Sequence, residues 1–159
     1  MVRFIFVGLV GLVVVGSACR TVPRTRTELP WQLRPEQAGV SGTLAVRVLG
    51  IPLVKGQLFV ELYDRATYFN YDQVLNEQIV PVTGTEMTVT LEHVPAGRYM
   101  AVASHDANGN NELDTGLFGI PLEAYGFSRD ARGALGPPGF EAGAFDFGGG
   151  AETVDVTVR

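Results

Sequence analysis

The stretch MTVTLEHVPAGRYMAVASH, residues 87–105, decides the fold class of this chain. Apolar and polar side chains alternate on both sides of residues 94–97, whose Pro95 and Gly97 favour a tight reversal. Such alternation is typical of half-buried strands. We therefore predict two antiparallel strands joined as a hairpin. Its register makes the following residues face each other: His93 and Arg98, Leu91 and Met100, Val89 and Val102, and Met87 and Ser104.

Further alternating runs lie on both sides of this stretch and predict more short strands. The well-patterned runs are Leu44, Val46 and Val48, then Leu58, Val60 and Leu62, and finally Val154, Val156 and Val158. Shorter candidates are residues 79–82 and 144–147, and no amphipathic run is long enough for a major helix. The pattern predicts an all-β fold, a single antiparallel two-layer β-sandwich of the immunoglobulin-like or transthyretin-like kind with long ordered loops.

Two longer stretches, residues 64–78 and 116–143, do not show strand patterning. The first is predicted to include one helical turn near Asp72, and the second is rich in Gly and Pro. Both contain aromatic residues: Tyr68, Phe69, Tyr71, Phe118, Tyr125, Phe127 and Phe140. Because apolar rings are more often buried than exposed, we predict that these stretches pack as ordered caps over the open end of the core.

The N-terminal segment has the order of a secretory signal. Arg3 precedes an uncharged apolar run over residues 4–15, and small residues then lead to Cys19. This run is too short for a membrane-spanning helix, so residues 1–18 are predicted to be a cleaved signal peptide. Cys19 is the sole cysteine, and its position resembles that of the lipidated cysteine of bacterial lipoproteins. The alternative is ordinary cleavage after Ala18, which leaves a soluble periplasmic or secreted protein with a free thiol.

Charge divides the remaining chain into a tether, residues 19–38, and one domain, residues 39–159. The tether carries four arginines and two glutamates, whereas the domain has seven basic and fifteen acidic side chains. An acidic domain repels phosphate backbones, which argues against nucleic acid as a partner. The basic tether beside a lipidated Cys19 would suit an anionic membrane surface. We therefore expect an exported protein, which is an outer-membrane or periplasmic lipoprotein if Cys19 is lipidated.

The polar loop at residues 106–114 is the one site-like feature of the sequence. The oxygen-bearing side chains of Asp106, Asn108, Asn110 and Asp114 recur at alternate positions, and the Glu112 carbonyl can fill the next place. This spacing is typical of loops that bind calcium. Calcium accepts many oxygen ligands in a tolerant geometry, so it fits this loop better than magnesium does.

Two positions depart from that pattern. Asn111 stands where a glycine is expected, and Leu117 stands where a bidentate glutamate would close the site. Asparagine tolerates the left-handed conformation, and Glu123 is the candidate for the missing acid. The alternative is that Asp, Asn and Gly cluster here because their side chains bond the backbone of a turn.

The sequence gives little support for an enzyme. His93 and His105 lie at opposite ends of the predicted hairpin and have no second His or Cys at zinc-ligand spacing. His105 is expected to bond a neighbour such as Glu86. There is no nucleophile elbow and no Gly-rich loop between a strand and a helix. We predict no enzymatic activity.

Several linked motifs resemble bacterial domain-of-unknown-function family number 2141. They are His105-Asp106-x-Asn108-x-Asn110, Leu113-Asp114, Gly119-Ile120-Pro121-x-Glu123-x-Tyr125-Gly126-Phe127-Ser128, and Pro137-Pro138-x-Phe140-Glu141-x-x-Ala144. The resemblance implies an exported single domain without assigned activity. Because the segment Gly119 to Ser128 recurs with the polar loop in the family pattern, we treat the two as one site or one folding unit. The family usually has glycine at 111 and asparagine at 129, where this chain has Asn111 and Arg129.

The motif Val94-Pro95-x-Gly97-x-Tyr99 also resembles transthyretin-like and carboxypeptidase-regulatory sandwiches, which implies a binding or scaffolding domain at the level of fold. Our leading hypothesis is an envelope binding or adaptor module, steadied by calcium in the polar loop, that presents residues 116–143 to an envelope protein or glycan. The second is a structural domain without metal. The third is a hydrolase of transthyretin-like type.

Overall fold

A computed structural model of the chain describes residues 39–68, 70, 73–111, 114, 116, 121–134 and 136–159. The predicted signal peptide, the tether with Cys19 and the helical turn near Asp72 lie outside the described residues, as do Glu112, Leu117 and Phe118. The elements of the described chain are β1 (Ser41–Leu49), β2 (Gln57–Tyr63), β3 (Asn76–Pro81), β4 (Glu86–Pro95), β5 (Gly97–Asp106), β6 (Tyr125–Phe127), α1 (Phe140–Gly143), β7 (Phe145–Phe147) and β8 (Ala151–Thr157).

These strands form two sheets, as expected for an all-β chain. One sheet has the order β4-β1-β8, and the other has the order β3-β2-β5-β6, with β7 also paired to β5. The prediction of antiparallel pairing throughout is wrong at one place, because β8 runs parallel to β1 with Val154 beside Val46. Parallel neighbours need a long connection, and here almost the whole domain lies between the two strands.

The predicted hairpin is wrong, although both of its strands exist as β4 and β5. β4 pairs with β1 and β5 pairs with β2, so that Val89 lies beside Val46 and Ala101 lies beside Leu62. Residues 94–97 therefore carry the chain from one sheet to the other. Alternation determines which side chains share a face of a strand, but several strands of similar pattern compete as its partner.

Apolar side chains from both sheets form one buried cluster. The β4-β1-β8 sheet contributes Leu44, Val46, Val48, Val89, Leu91 and Val156, and the other sheet contributes Leu58, Val60, Leu62, Tyr99, Ala101 and Ala103. Burying one such aliphatic side chain fully stabilises the fold by about 1.5–3 kcal/mol. All the strands of the described residues contribute to or flank this core, and the domain bounds 39–159 stay a prediction.

A second, smaller cluster lies on the opposite face of β5. Met100, Phe127, Ala131, Phe140 and Ala144 are buried in it. Residues 128–144 thus fold back over the sheet, and their aromatic residue is buried as predicted for a cap. The cap covers the outer face of β5 rather than an open end of the main core. Part of the stretch predicted to be irregular is also a strand, β6.

Ser128 holds this covering segment in place. Its side chain is fully buried; Oγ accepts a hydrogen bond from the Ala101 N–H at 3.0 Å and donates one to the Gly143 carbonyl at 2.7 Å. A buried hydroxyl must find such partners because an unpaired polar group in the interior is costly. One side chain therefore joins β5, the end of β6 and α1.

Several connections meet at one end of the domain, which we call the loop end: residues 50–56, 106–111, 114, 121–124 and 158–159. β1 finishes there, and the pairing of Gln57 with Asp106 places the start of β2 beside the end of β5. The first described residues lie at the other end of β1, about 30 Å away for a strand of this length. The loop end is thus remote from the point where the tether joins.

Candidate functional site

Asp106 is the first residue of the polar loop and accepts hydrogen bonds from several of its other residues. It is the last residue of β5 and only 2% exposed. Its carboxylate accepts hydrogen bonds from the N–H groups of Gly109 at 2.6 Å and Asn111 at 2.8 Å, with a longer one from Asn110 at 3.3 Å. The Gln57 side-chain amide donates a fourth at 2.9 Å. Both carboxylate oxygens are therefore occupied by donors of the protein itself.

These donors control the charge of Asp106. Burial raises the pKa of the carboxyl, but the hydrogen bonds from Gln57 and from the N–H groups of Asn111, Gly109 and Asn110 together outweigh it and lower the pKa. The side chain is therefore ionised at neutral pH, and charge-assisted hydrogen bonds of this kind are stronger than neutral ones.

Three of the predicted cation ligands contact one another in the loop. The Asp114 carboxylate accepts hydrogen bonds from the side-chain amides of Asn108 at 2.5 Å and Asn110 at 3.0 Å. The Asn108 side-chain oxygen also accepts the Asn110 N–H at 2.8 Å. Calcium takes amide and carboxylate oxygens as ligands, but here the amide NH2 groups of Asn108 and Asn110 face the Asp114 carboxylate.

Glu123 joins the loop to the segment that follows it. Its carboxylate accepts hydrogen bonds from the N–H groups of Ala107 at 3.0 Å and Asp114 at 3.2 Å. The Leu122 N–H donates to the Asp114 carbonyl at 2.8 Å. The predicted connection between the two segments is confirmed, with Glu123 bonded to the backbone of the loop.

The left-handed positions of the loop explain its composition. Gly109 has φ 77° and Asn111 has φ 64°, so Asn111 adopts the conformation for which a glycine was expected. Its side-chain oxygen accepts a hydrogen bond from the Gln57 amide at 2.7 Å. Gln57 thus bonds two residues of the loop, a role that its position at the start of a strand did not indicate.

The predicted contact of His105 with Glu86 does not form, and His105 instead fixes a neighbouring loop. It is 1% exposed, and its Nε2 lies 2.8 Å from the Lys55 carbonyl. The prediction is wrong because Glu86 belongs to the other sheet, where it pairs with Leu49. The chain passes close by at Gly56, where an added Cβ would lie 2.1 Å from the Asp106 carbonyl oxygen.

The predicted metal ligands thus differ in their surroundings. Asp106 and Glu123 face backbone N–H groups, whereas Asn108, Asn110 and Asp114 meet one another. Glu112 lies outside the described residues. Within the part of the chain that the structure describes, no three His, Cys, Asp or Glu side chains form a group that could hold a metal ion. Calcium binding by the loop stays a prediction.

The loop end also displays apolar side chains to solvent. Leu53 is 54% exposed, Val54 is 56% exposed and Leu122 is 73% exposed. Val54 precedes Lys55, whose carbonyl lies beside His105 and whose N–H donates to the Leu53 carbonyl at 3.0 Å. Leu122 precedes Glu123, which bonds the polar loop. Two further large apolar residues are exposed elsewhere among the described residues, Val40 and Ile79.

Comparison with known proteins identifies one family. Residues 46–155, more than half of the chain, match the family described as "Uncharacterized protein conserved in bacteria (DUF2141)". The chain belongs to this family. The description of DUF2141 names no activity, and the chain matches no curated protein and no solved structure. Among the described residues of this DUF2141 domain, no helix has the length and apolar character needed to cross a bilayer.

Proposed function

We propose that this chain is a non-catalytic binding or adaptor module of the bacterial envelope, and that the loop end is its binding surface. The observation that carries the proposal is the combination of rigidity and exposure at that end. Asp106, Glu123 and His105 fix three loops by hydrogen bonds, while Leu53 and Leu122 project from the same loops into solvent. Binding residues are often found on loops that a rigid scaffold positions.

The arrangement of the two sheets supports this role. Both sheets contribute to one core, and in our proposal they form the two layers of a β-sandwich. In such a fold the loops at one end lie close together and can bind a partner jointly. Residues 128–144 are less suited to presentation, since Phe140 and Ala144 are buried against β5.

The proposed location follows from the N-terminal residues. A charged start, a short apolar run and a cysteine after small residues are the features of a lipoprotein signal. Attachment through Cys19 would leave the loop end directed away from the attachment point, toward an envelope protein or glycan. This proposal is independent of any metal.

Calcium is a further part of the proposal. The proximity of the Asn108, Asn110 and Asp114 side chains supports a site for the ion, in which the two amides would turn their oxygens rather than their NH2 groups inward. One observation favours the alternative of a loop without metal: Asp106 and Glu123 already close it through backbone N–H groups. The two possibilities differ in whether calcium changes the stability of the domain.

Thermal unfolding of residues 39–159 with calcium and with chelator separates these possibilities. A ligand that binds the native state at about 100 times its Kd adds about 2.7 kcal/mol of stability. If the loop binds calcium, Tm rises for the wild type and for the exposed control Glu92→Gln, but not for Asp114→Asn. An unchanged Tm of the wild type in excess calcium contradicts calcium binding and leaves the metal-free loop.

Site-specific crosslinking tests the binding surface. The photoreactive amino acid benzoylphenylalanine replaces Leu122 in the full chain, which is expressed in cells and irradiated there. The matched control carries benzoylphenylalanine at Thr153, an exposed residue of β8. The proposal expects a discrete crosslinked protein or glycan from position 122 and none from 153. Crosslinks of equal yield at both positions, or none at either, contradict it.

A further inference from the structure

The polar loop contains a pair of residues with a reactivity of their own, Asn108 followed by Gly109. In such a pair the backbone nitrogen of the glycine can attack the side-chain amide carbon of the asparagine. Glycine favours this reaction because it has no Cβ to hinder the approach. Both residues are exposed, so the water that completes the reaction reaches them. The chemistry of the pair therefore makes Asn108 a candidate for spontaneous deamidation.

Deamidation of Asn108 proceeds in two steps. The Gly109 nitrogen first forms a bond to the Asn108 Cγ, the bond from Cγ to Nδ2 breaks, and the Gly109 proton leaves with Nδ2 as ammonia. Water then opens the resulting cyclic imide, either at the new bond to give aspartate or at the main-chain carbonyl to give isoaspartate. The net change replaces a neutral amide by a carboxylate, which is ionised at neutral pH.

The folded loop holds each group of Asn108 and Gly109 that this reaction must move. The Gly109 N–H donates to the Asp106 carboxylate at 2.6 Å. The Asn108 Nδ2 donates to the Asp114 carboxylate at 2.5 Å, and the Asn108 Oδ1 accepts the Asn110 N–H at 2.8 Å. The attacking nitrogen, the leaving amine and the amide oxygen are therefore all bonded within the loop.

The hydrogen bond from Gly109 to Asp106 opposes the reaction most directly. Attack requires a nitrogen that has lost its proton, and the resulting negative charge would lie against a carboxylate. A hydrogen bond to a charged acceptor is also stronger than a neutral one, so that breaking it is costly. The carboxylate is itself fixed by the Gln57 amide and the Asn111 N–H, and Asp106 is only 2% exposed. The acceptor therefore stays in place as long as the loop keeps its conformation.

We propose that Asn108 is a deamidation site whose reaction the Asp106 carboxylate suppresses while the loop is closed, and whose product loosens the loop end. Local opening frees the Gly109 nitrogen, and deamidation then makes the change permanent. The new carboxylate at residue 108 replaces the amide that donates to Asp114. A hydrogen bond thus becomes a contact between like charges, which favours the open loop. The inference needs neither calcium nor a binding partner.

Peptide mapping by mass spectrometry measures the rate of this reaction. The full chain is incubated at neutral pH with chelator, beside a synthetic peptide of residues 104–111 at the same temperature. Fragmentation assigns the change to Asn108 rather than to Asn110 or Asn111. We expect the folded chain to deamidate roughly 10–100-fold more slowly than the peptide, which is the factor for one hydrogen bond to a charged group.

Two variants of the folded chain identify the protecting group. Asp106→Asn removes the charge that faces the Gly109 nitrogen and should make deamidation of Asn108 roughly tenfold faster. The matched control Gln57→Ala removes a donor to Oδ2 of the same carboxylate, whereas Gly109 contacts Oδ1. This control loosens the loop without touching the protecting bond, so the rate should change little. Circular dichroism confirms that both variants are folded.

The effect of the product is tested with Asn108→Asp in the presence of chelator. Its Tm should lie about 2–6 °C below that of the wild type, because two carboxylates then meet in the loop. The control Asn108→Asp/Asp114→Asn exchanges the two groups, so that a carboxylate again faces an amide. This double variant should recover most of the lost Tm.

The proposal fails if the full chain and the peptide deamidate equally fast, or if Asp106→Asn reacts no faster than the wild type. Equal acceleration by Gln57→Ala and Asp106→Asn also overturns it, since loosening of the loop would then account for the rate. An unchanged Tm of Asn108→Asp contradicts the release of the loop. None of these outcomes depends on the binding surface proposed above, which crosslinking at residue 122 tests separately.

Discussion

The polar loop at residues 106–114 and the covering segment at residues 128–144 are both irregular, yet they are held in opposite ways. The loop is built around one ionised carboxylate, that of Asp106, which accepts N–H donors. The covering segment is built around buried apolar groups, chiefly Phe140 and Met100, with Ser128 as its polar attachment. The stability that the polar loop contributes should depend on pH and charge, whereas the stability that the covering segment contributes should depend on the volume of its side chains.

The largest expected effect is in the covering segment. Phe140→Ala removes a ring that is 7% exposed and contacts Tyr68 at a centroid distance of 5.8 Å. We expect a loss of about 3–5 kcal/mol in the free energy of unfolding, measured by urea denaturation. The exposed control Leu122→Ala should change it little. A loss below about 1 kcal/mol would show that the segment is not held by its ring.

The next effect is at the centre of the polar loop. Asp106→Ala leaves the N–H groups of Gly109 and Asn111 and the Gln57 amide without their acceptor. We expect a loss of about 2–3 kcal/mol by the same measurement. Asp106→Asn keeps the size and one acceptor oxygen, so it should lose less. An unchanged stability of Asp106→Asn would mean that the charge contributes nothing.

A smaller loss of stability is expected when the polar attachment of the covering segment to β5 is removed. Ser128→Ala removes one acceptor and one donor, leaving the Ala101 N–H and the Gly143 carbonyl unpaired. The expected loss is about 1–2 kcal/mol. Hydrogen exchange should increase in residues 128–144 and stay unchanged in residues 106–111. Faster exchange in both regions would mean that they unfold together.

The response to pH should distinguish the regions most clearly. The pKa of Asp106 in the folded state lies below its ordinary value of 3.8. Its contribution is therefore fully present above the unfolded pKa and is lost as pH falls through the folded pKa. Stability of the wild type and of Phe140→Ala should fall in parallel from about pH 5 downward, whereas that of Asp106→Asn should fall less steeply. The lowered pKa values of Asp130 and Asp155 act equally in all three proteins.

The smallest expected effect concerns an exposed tip of the loop end. Leu122→Gln should change the free energy of unfolding by no more than about 0.5 kcal/mol, because the side chain is 73% exposed. The measurement is again urea denaturation, with Phe140→Ala as the destabilised reference. A large loss would show that Leu122 supports the fold, and its exposure would then say nothing about binding.

Much of the fold can be predicted from side-chain alternation. The runs at Leu44, Leu58, Met87 and Val154 all belong to strands, because a strand with one buried face imposes a period of two on its sequence. The pairing of β4 with β1 could not be predicted in this way, since Leu91 can pack against apolar residues of several strands. The parallel pairing of β8 had no local signal for the same reason.

The candidate site shows the same division between local and distant contacts. The convergence of Asn108, Asn110 and Asp114 follows from their spacing within one loop. The contact of Glu123 was expected because its segment accompanies the loop in the family pattern. Gln57 contacts the loop from the start of β2, and Lys55 contacts the preceding His105 from the turn before β2, each about fifty residues away. Nothing in the sequence near residue 106 indicates either contact.

The parallel neighbours β1 and β8 determine when the domain can become complete. The first and the last strand of the described chain lie side by side, with Val48 next to Val156. The β4-β1-β8 sheet therefore cannot close until residues 151–157 have left the ribosome. Contacts so distant in sequence slow folding, because a long loop must be ordered before they form. If the chain is exported as proposed, it gains from this delay, since it stays unfolded and able to pass through a narrow channel until residues 151–157 have been made.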